Sequence, residues 1–535
     1  MRVEPDARVG ASPHGDVVDV PARDTRASAL RTTIALVIAA AILLAIVLRF
    51  LTRSDLWSDE ALSVNIANLH VHQLRDALKQ DGAPPLYYVL LHGWMRIFGS
   101  GDLTVRAMSG VFSLATLPVM WAAGRRLDRR RAALALPSED RSTVAWAAVL
   151  LFASSPFAIR YATETRMYAL VMLLAACGYL AVLAAFDAPT LPRLAAVALV
   201  TGLLLYTHYW SFALVIVVVG FLVACAVQGT HRRAALRLLG AVAVGCLTFV
   251  PWLPTFLYQE RHTGTPWGNP LSPVSGTSTA ILGFGGSTRP LGWGLLLLVL
   301  LALFARALDR RHVEIDLWTR AGMRAEIAVA FGTLWCGLVL SYGSNSTFDP
   351  RYASVMFPLF LVAAAFGVAA FQSRVFRYGV VALAVVLGFV GGVKNVTTNR
   401  TQAAQVANAI KASAKPGDLV LYCPDSTGPD VDRLLPGWRG LREATFPEFQ
   451  GPQRIDWVDY QRRSEVSPAT FASRAVRLAG RSDIWFVWSP GLNGLRDKCE
   501  RIIDQLGVLR PHHDRVLEPD PKYFEHAGLV HYALR

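Results

Sequence analysis

The amino-acid sequence predicts an α-helical polytopic membrane protein of about eleven spans, followed by a C-terminal α/β domain outside the membrane. Three observations predict it. The 535 residues are 53% apolar and 17% charged, with a mean hydropathy of +0.36, whereas a soluble domain carries about 25% charged residues. Apolar runs of roughly 15 to 25 residues, long enough to approach or span a bilayer, recur from Ala29 to Val393. Arginine carries nearly all the positive charge and collects in alternate connections between those runs. Length alone would allow three or four soluble domains, but this composition excludes them, together with fibrous, collagen-like, disulfide-framework and disordered classes. The net charge of +14 does not mark a nucleic-acid partner, because clusters between apolar runs suit membrane topology rather than a DNA-binding face.

Residues 1–28 are polar, with no apolar period, and read as a disordered cytoplasmic tail. Ala29–Leu51 is too long for a signal-peptide core and reads as a retained span. Further spans are expected near Val105–Ala123, Val144–Ile159, Met167–Phe186, Leu194–Tyr206, Phe212–Val227, Ala241–Tyr258, Leu291–Leu308, Ile327–Tyr342, Val355–Phe371 and Val380–Val393. One set of connections holds Arg125, Arg126, Arg129, Arg130, Arg131, Arg141, Arg193, Arg232, Arg233 and Arg237. The same set continues with Arg306, Arg310, Arg311, Arg320, Arg324, Arg374 and Arg377, and the opposite connections are poorer in arginine for their length. The positive-inside bias then puts the N-terminus in the cytoplasm and residues 394–535 outside a plasma (inner) membrane. Residues 29–393 form the membrane region. In the tail, Asp418–Cys423 and Ile484–Trp488 read as buried strands and Leu529–Ala533 as a final one. Gln402–Lys411, Pro468–Leu478 and Leu495–Leu506 read as helices, so the tail is a small α/β domain. Cys423 and Cys499 are its only cysteines, and in an oxidising compartment they either pair or stay free. Cys177, Cys225, Cys246 and Cys336 fall in or beside spans as small apolar filler.

Ionisable residues at membrane depth are costly, so those at the outer span ends carry the information. Trp57-Ser58-Asp59-Glu60 follows the first span; its two carboxylates suit a base with an orienting or metal-binding partner, and Ser58 or Asp59 also suits a helix cap. Asp81-Gly82-Ala83-Pro84-Pro85-Leu86-Tyr87-Tyr88, running on to His92 and Trp94, predicts an amphipathic helix at the interface. In Arg160–Tyr168, Arg166 suits a phosphate and Glu164 and Tyr168 are expected on one helix face; a structural ion pair is the competing reading. The last cluster joins Thr207-His208-Tyr209-Trp210 to Asp349-Pro350-Arg351-Tyr352. Arg351 stands on the arginine-poor side, where an anionic partner explains it, while His208 is also explained as an interfacial histidine. No P-loop, dinucleotide glycine fingerprint, His-Glu-x-x-His or paired-cysteine motif occurs, and Gly283-Phe284-Gly285-Gly286 reads as a loop. Asn345-Ser346-Thr347 matches a glycosylation acceptor pattern that matters only in a eukaryotic host.

Taken in this order, the clusters resemble polytopic lipid-dependent glycosyltransferases of the GT-C type, in the family-39-like branch of protein mannosyltransferases and the aminoarabinose transferase of lipid A. The matching features are Asp59-Glu60, Pro-Pro-Leu-Tyr-Tyr running to His92 and Trp94, Glu164-x-Arg166-x-Tyr168, Thr207-His208-Tyr209 and Arg351-Tyr352. They cover roughly residues 51–371. The chain departs from many relatives at Ala83, where a polar residue often precedes Pro-Pro. The resemblance implies inverting transfer of a hexosyl or pentosyl group from a polyprenyl-phosphate sugar donor to an extracytoplasmic acceptor in the cell envelope: glycan, lipid or protein. Asp59 would be the general base. Arg351, helped by Arg166, would stabilise the departing lipid phosphate, and His208, Tyr168, Tyr209 and Tyr352 would line the pocket. Glu60, assigned with Asp59 to the catalytic pair, and Glu164 would orient the sugar or, with Asp59, hold a divalent cation. The sequence requires no cofactor. A lipid-linked glycan ligase or polymerase is the alternative enzyme. A transporter or flippase with an external binding domain would place charges at span midpoints, which are nearly free of them here. A membrane anchor needs one span.

Overall fold

A computed structural model describes residues 21–133, 142–229, 231–265, 268, 270–309, 312–316, 318, 322–344, 346–491 and 494–534, without the side chains of residues 21–31, 307 and 439. Residues 1–20, Arg141, Arg310, Arg311, Arg320 and Asn345, on which expectations above fall, lie outside the described residues. Two compact units divide the chain, Met1–Leu44 and Ala45–Arg535.

The first helix runs Pro21–Leu48, so residues 21–28, expected in the polar tail, are its first turns. Among the described residues six helices are long and apolar enough to cross a membrane: Asp102–Ala133, Tyr168–Asp187, Ser211–Gln228, Arg232–His262, Arg324–Gly343 and Arg374–Thr397. Two bent pairs, Thr143–Ser154 with Pro156–Ala162 (54°) and Pro273–Gly285 with Arg289–Phe304 (109°), raise the number to eight if each is one span. The other expected spans are helices too, but shorter: Thr32–Leu48, Leu191–Thr207 and Phe357–Val368. The chain is a multi-pass membrane protein, and eleven counts apolar helical segments rather than full-length crossings. Both bends have local causes. Ser155 accepts a hydrogen bond from the Ala158 amide while Pro156 opens the next helix. Gly286 takes φ +58° at the end of Pro273–Gly285, so the glycine run is a helix end and its cap rather than a loop.

Small strands β1 (Ala305–Ala307) and β2 (Val313–Ile315) pair antiparallel between two of the bundle's helices. The C-terminal domain is built on a five-stranded sheet. Its strands are β3 (Leu419–Cys423), β4 (Arg442–Thr445), β5 (Ile484–Trp488), β6 (His513–Leu517) and β7 (Gly528–Tyr532), in the order β4-β3-β5-β7-β6. β4, β3 and β5 run parallel, and β7 and β6 return antiparallel. Every residue of β3 and β5 is buried, as apolar strands covered on both faces require. Helices Ala403–Ser413, Pro468–Ala479 and Lys498–Leu509 supply the covers, and Cys423 and Cys499 are disulfide-bonded with Cα atoms 5.6 Å apart.

The domain docks on one end of the bundle. Arg400, fully buried, donates to the Thr163 carbonyl (3.0 Å) and hydroxyl (2.8 Å). Arg433 pairs with Asp102 at 2.9 Å, and the Trp457 and Asp459 amides donate to the Gln80 and His262 carbonyls at 3.1 and 2.7 Å. The largest apolar cluster among the described residues runs from Leu56 through the spanning helices to Tyr532, and a second lies within the C-terminal domain around Val406, Tyr422 and Trp485. Asp102 starts the long helix whose other end carries Arg125, Arg126, Arg129, Arg130 and Arg131. At 1.5 Å per residue the arginine-rich end lies roughly 36 Å along that helix from Arg106, across the bundle from the docked domain.

Candidate active site

The helix Ser58–Ala67 starts from Trp57, whose backbone is extended (φ −82°, ψ 169°). Trp57 therefore holds the cap position, not Ser58 or Asp59. The Ser58 hydroxyl instead donates to the Ser426 carbonyl of the C-terminal domain at 2.6 Å. Acids in a first helical turn are favoured by the helix dipole, yet the two here point apart. Asp59 opens onto a chamber, where its Oδ2 accepts a 2.8 Å hydrogen bond from Arg351 Nη1 and lies 3.8 Å from Arg166 Nη2. Glu60 is fully buried behind it. Its Oε1 accepts from Arg106 Nε (2.7 Å) and the Thr165 amide (2.8 Å), and its Oε2 from Arg106 Nη2 (2.5 Å). The expected catalytic pair is thus one chamber carboxylate and one structural anchor, because consecutive residues of a helix diverge by about 100°.

The chain breaks between the helices Pro156–Ala162 and Tyr168–Asp187, so Glu164 and Tyr168 share no helix face. Glu164 is buried, accepting from Arg160 Nε (3.1 Å) with Arg400 Nη1 at 3.8 Å. Arg166, two residues on, turns to the Asp59 side and donates to Ser63 Oγ at 3.0 Å. Glu60 and Glu164 therefore share Arg400 Nη1, at 4.0 and 3.8 Å, while Asp59 is held apart from them by Arg351 and Arg166. Among the described residues no group of three or more His, Cys, Asp or Glu is placed to hold a metal ion.

Arg351 lies in the short helix Pro350–Val355, where the Asp349 carboxylate accepts from its amide at 3.0 Å. Its guanidinium sits within 6 Å of the Trp57, Tyr168 and Tyr352 rings. A Cβ on Gly283 would stand 2.7 Å from the Pro350 Cβ, so that glycine admits the Arg351 turn. His208 packs edge-on to Tyr168 (ring centroids 5.6 Å) and tilted against Tyr352 (5.4 Å), and its Nδ1 accepts from the Trp210 amide at 3.2 Å. Burial, reinforced by Arg166 and Arg351, pushes its imidazole down to about 3, so it is neutral at physiological pH. The Tyr209 hydroxyl donates to Gln259 and accepts from Trp252 Nε1 at 3.0 Å.

These side chains face a chamber of about 500 Å³. Asp59, Arg166, Tyr168, His208, Tyr209, Arg351 and Tyr352, all expected at the site, line it, and Glu60 and Glu164 do not. A smaller cavity of about 310 Å³, which includes Glu164 and Arg160, lies across a wall of Trp57, Asp349, Arg351 and Phe524 shared by both. Sequence reasoning missed Asp81, whose carboxylate accepts from the Tyr88 hydroxyl at 2.8 Å, although Asp81 opens the cluster expected as an interfacial amphipathic helix. It also missed the wall contributed by the C-terminal domain, including Ser426, Trp457, Ser489, Glu525 and His526; no local motif signals it. Trp57 Nε1, Arg166 Nε, Thr347 Oγ1, Arg351 Nε and His526 Nδ1, on residues lining this chamber, are buried with no hydrogen-bond partner among the described residues. Such donors and acceptors are costly unless a ligand satisfies them. Two guanidiniums beside the carboxyl groups of Asp59, Asp81, Asp349 and Glu525, with stacked aromatics, suit a hydroxyl-rich ligand that carries an anionic group.

No protein-family model matches the sequence, and no curated protein matches it. Solved structures do. The chain aligns with ArnT from Cupriavidus metallidurans bound to undecaprenyl phosphate at a TM-score of 0.57 and 13% identity, covering 94% of this chain and 98% of that one. The same protein in the apo state gives 0.58 and 14% over the same shares. ArnT is an aminoarabinose transferase of the GT-C superfamily. With alignment over nearly the whole of both chains, the fold of this protein is that of the GT-C type polytopic membrane glycosyltransferases.

Proposed function

We propose that the protein is a glycosyltransferase that moves a sugar from a polyprenyl-phosphate donor to an acceptor outside the cytoplasm, with inversion. The observation that carries this reading is the 2.8 Å contact of Asp59 with Arg351 inside a chamber at the end of a membrane bundle. A lipid-anchored donor presents phosphate and sugar at that depth. Arg351 already holds one anion, Asp59; a donor phosphate would compete for its guanidinium and release the carboxylate. Asp59 then takes the proton of the acceptor hydroxyl as it attacks the anomeric carbon. Arg351 and Arg166 stabilise the charge that develops on the leaving phosphate. Neutral His208, Tyr168 and Tyr352 wall the sugar, and the fold shared with ArnT, which binds undecaprenyl phosphate in its crystal structure, supports the donor class. The arginine-rich ends opposite the chamber support a cytoplasmic N-terminus and an extracytoplasmic C-terminal domain in the plasma membrane.

The test incubates purified protein with a panel of polyprenyl-phosphate sugars and follows sugar release. Wild type turns over at least one donor, and Asp59→Asn lowers the rate by about 10²–10⁴. Full activity in that variant removes Asp59 from the base role, and no turnover with any donor overturns the reading.

A further inference from the structure

We infer that Glu525 of the C-terminal domain is a positioning residue for Asp59, holding the first amide of the helix that carries it. A helix leaves its first amides without intrahelical partners, and the cap residue Trp57 offers no side-chain acceptor to them. Glu525 Oε2, 467 positions away, accepts from the Ser58 amide at 2.9 Å. Ser58 precedes Asp59 directly, so this bond sets the entry of the turn that aims the carboxylate at Arg351.

Glu525 is itself held firmly. Its amide donates to the Arg400 carbonyl at 2.8 Å, its carbonyl accepts from the Gln402 amide at 3.1 Å, and Thr401 and Glu525 form a parallel bridge. Its carboxyl hydrogen-bonds that of Asp430, which also accepts from the Thr401 hydroxyl (2.8 Å) and the Val431 amide (3.0 Å). Two carboxyls bonded to each other need a proton between them. Burial and then the Asp430 charge push Glu525 well above the usual carboxylate range, so the proton stays with it. A protonated Glu525 donates to Asp430 with one oxygen and accepts from Ser58 with the other. It thereby places no second negative charge beside Asp59. The neighbouring Phe524 packs edge-on against Trp57 at 5.3 Å, so the same segment grips the turn on both sides of the peptide.

The catalytic arm of the test rests on Asp59 as base; the exchange arm does not. In full-length protein, Glu525→Ala speeds hydrogen exchange of the Ser58 amide at least about ten-fold, because its acceptor is gone. It lowers kcat by about 10–100-fold with donor KM within about two-fold, the signature of a displaced base rather than a lost binding contact. Glu525→Gln keeps an acceptor for Ser58 and a donor for Asp430, and restores both readouts to within about three-fold. Ser58→Pro removes the amide hydrogen at a first-turn position that proline tolerates, and with it the hydroxyl contact to Ser426; its kcat loss exceeds that of Ser58→Ala, which gives up the hydroxyl contact alone. Unchanged exchange in Glu525→Ala, a change in KM in place of kcat, or Glu525→Gln as impaired as Glu525→Ala overturns the inference. If wild type turns over no donor, faster exchange in Glu525→Ala still upholds the positioning contact, and only the proposed reaction falls.

Discussion

Asp59 and Glu60 are neighbours in sequence and opposites in role. Glu60 is buried with Arg106 and, at 4.0 Å, Arg400; although burial favours its neutral form, the arginines outweigh it and hold the carboxyl below its ordinary value. Breaking such a pair by removing one charge leaves the other buried and uncompensated, at a cost of about 3–5 kcal/mol. Glu60→Gln therefore lowers the thermal midpoint of the purified protein by several degrees, whereas Asp59→Asn, on the chamber wall, folds with a midpoint near wild type and loses turnover. A reversed pattern in melting curves would exchange the two roles. Much of the chamber lining was legible in the sequence: Asp59, Arg166, His208 and Arg351 stand out because charge at a span end needs a reason. Which of two adjacent carboxylates faces the chamber was not. That depends on Arg106 and Arg400, distant in sequence from both and marked by no motif.

The elements show the same division between local and remote signals. β3 and β5 were legible because strands buried on both faces are continuous apolar runs. β4 and β6 escaped because they are the sheet edges. Arg442-Glu443-Ala444-Thr445 and His513-Asp514-Arg515-Val516-Leu517 carry the charge that exposed edges need. The end of β3 also delivers a titrating group. Burial pushes the Asp425 carboxyl up to about 7, against the opposing pull of the Tyr460 hydroxyl at 2.6 Å and of Arg463. Between about 4, where an unfolded aspartate ionises, and 7, the folded chain binds more protons than the unfolded one. Stability from this group is complete below that window and is lost as pH rises through it, by at most about 4 kcal/mol. Asp425→Asn keeps an oxygen for Tyr460 and cannot ionise. Its melting temperature therefore gains on wild type between pH 5 and pH 8, and a constant difference across that range refutes the buried neutral acid.

At the scale of the molecule, residues 45–535 form one compact unit, and the C-terminal domain supplies one wall of the chamber. The disulfide matters to that wall. Cys423 ends β3 and leads straight into Pro424 and Ser426 of the chamber wall, while Cys499 lies in the helix Lys498–Leu509. The bond closes a loop with a sequence separation of 76, which restricts the unfolded chain enough to contribute about 4 kcal/mol by loop-closure entropy. Because Arg400, Arg433 and the Ser58–Ser426 bond join the domain to the bundle, the loss should spread to both. Cys423→Ser with Cys499→Ser is expected to lower the unfolding midpoint seen by C-terminal-domain tryptophan fluorescence and that seen by helical circular dichroism together. Sugar release from the donor should fall with them, since the β3 end no longer pins Ser426 against Ser58. If the C-terminal domain melts early while the helices keep their midpoint, the two parts are separable, and the chamber is then a contact between independent domains rather than a feature of one cooperative core.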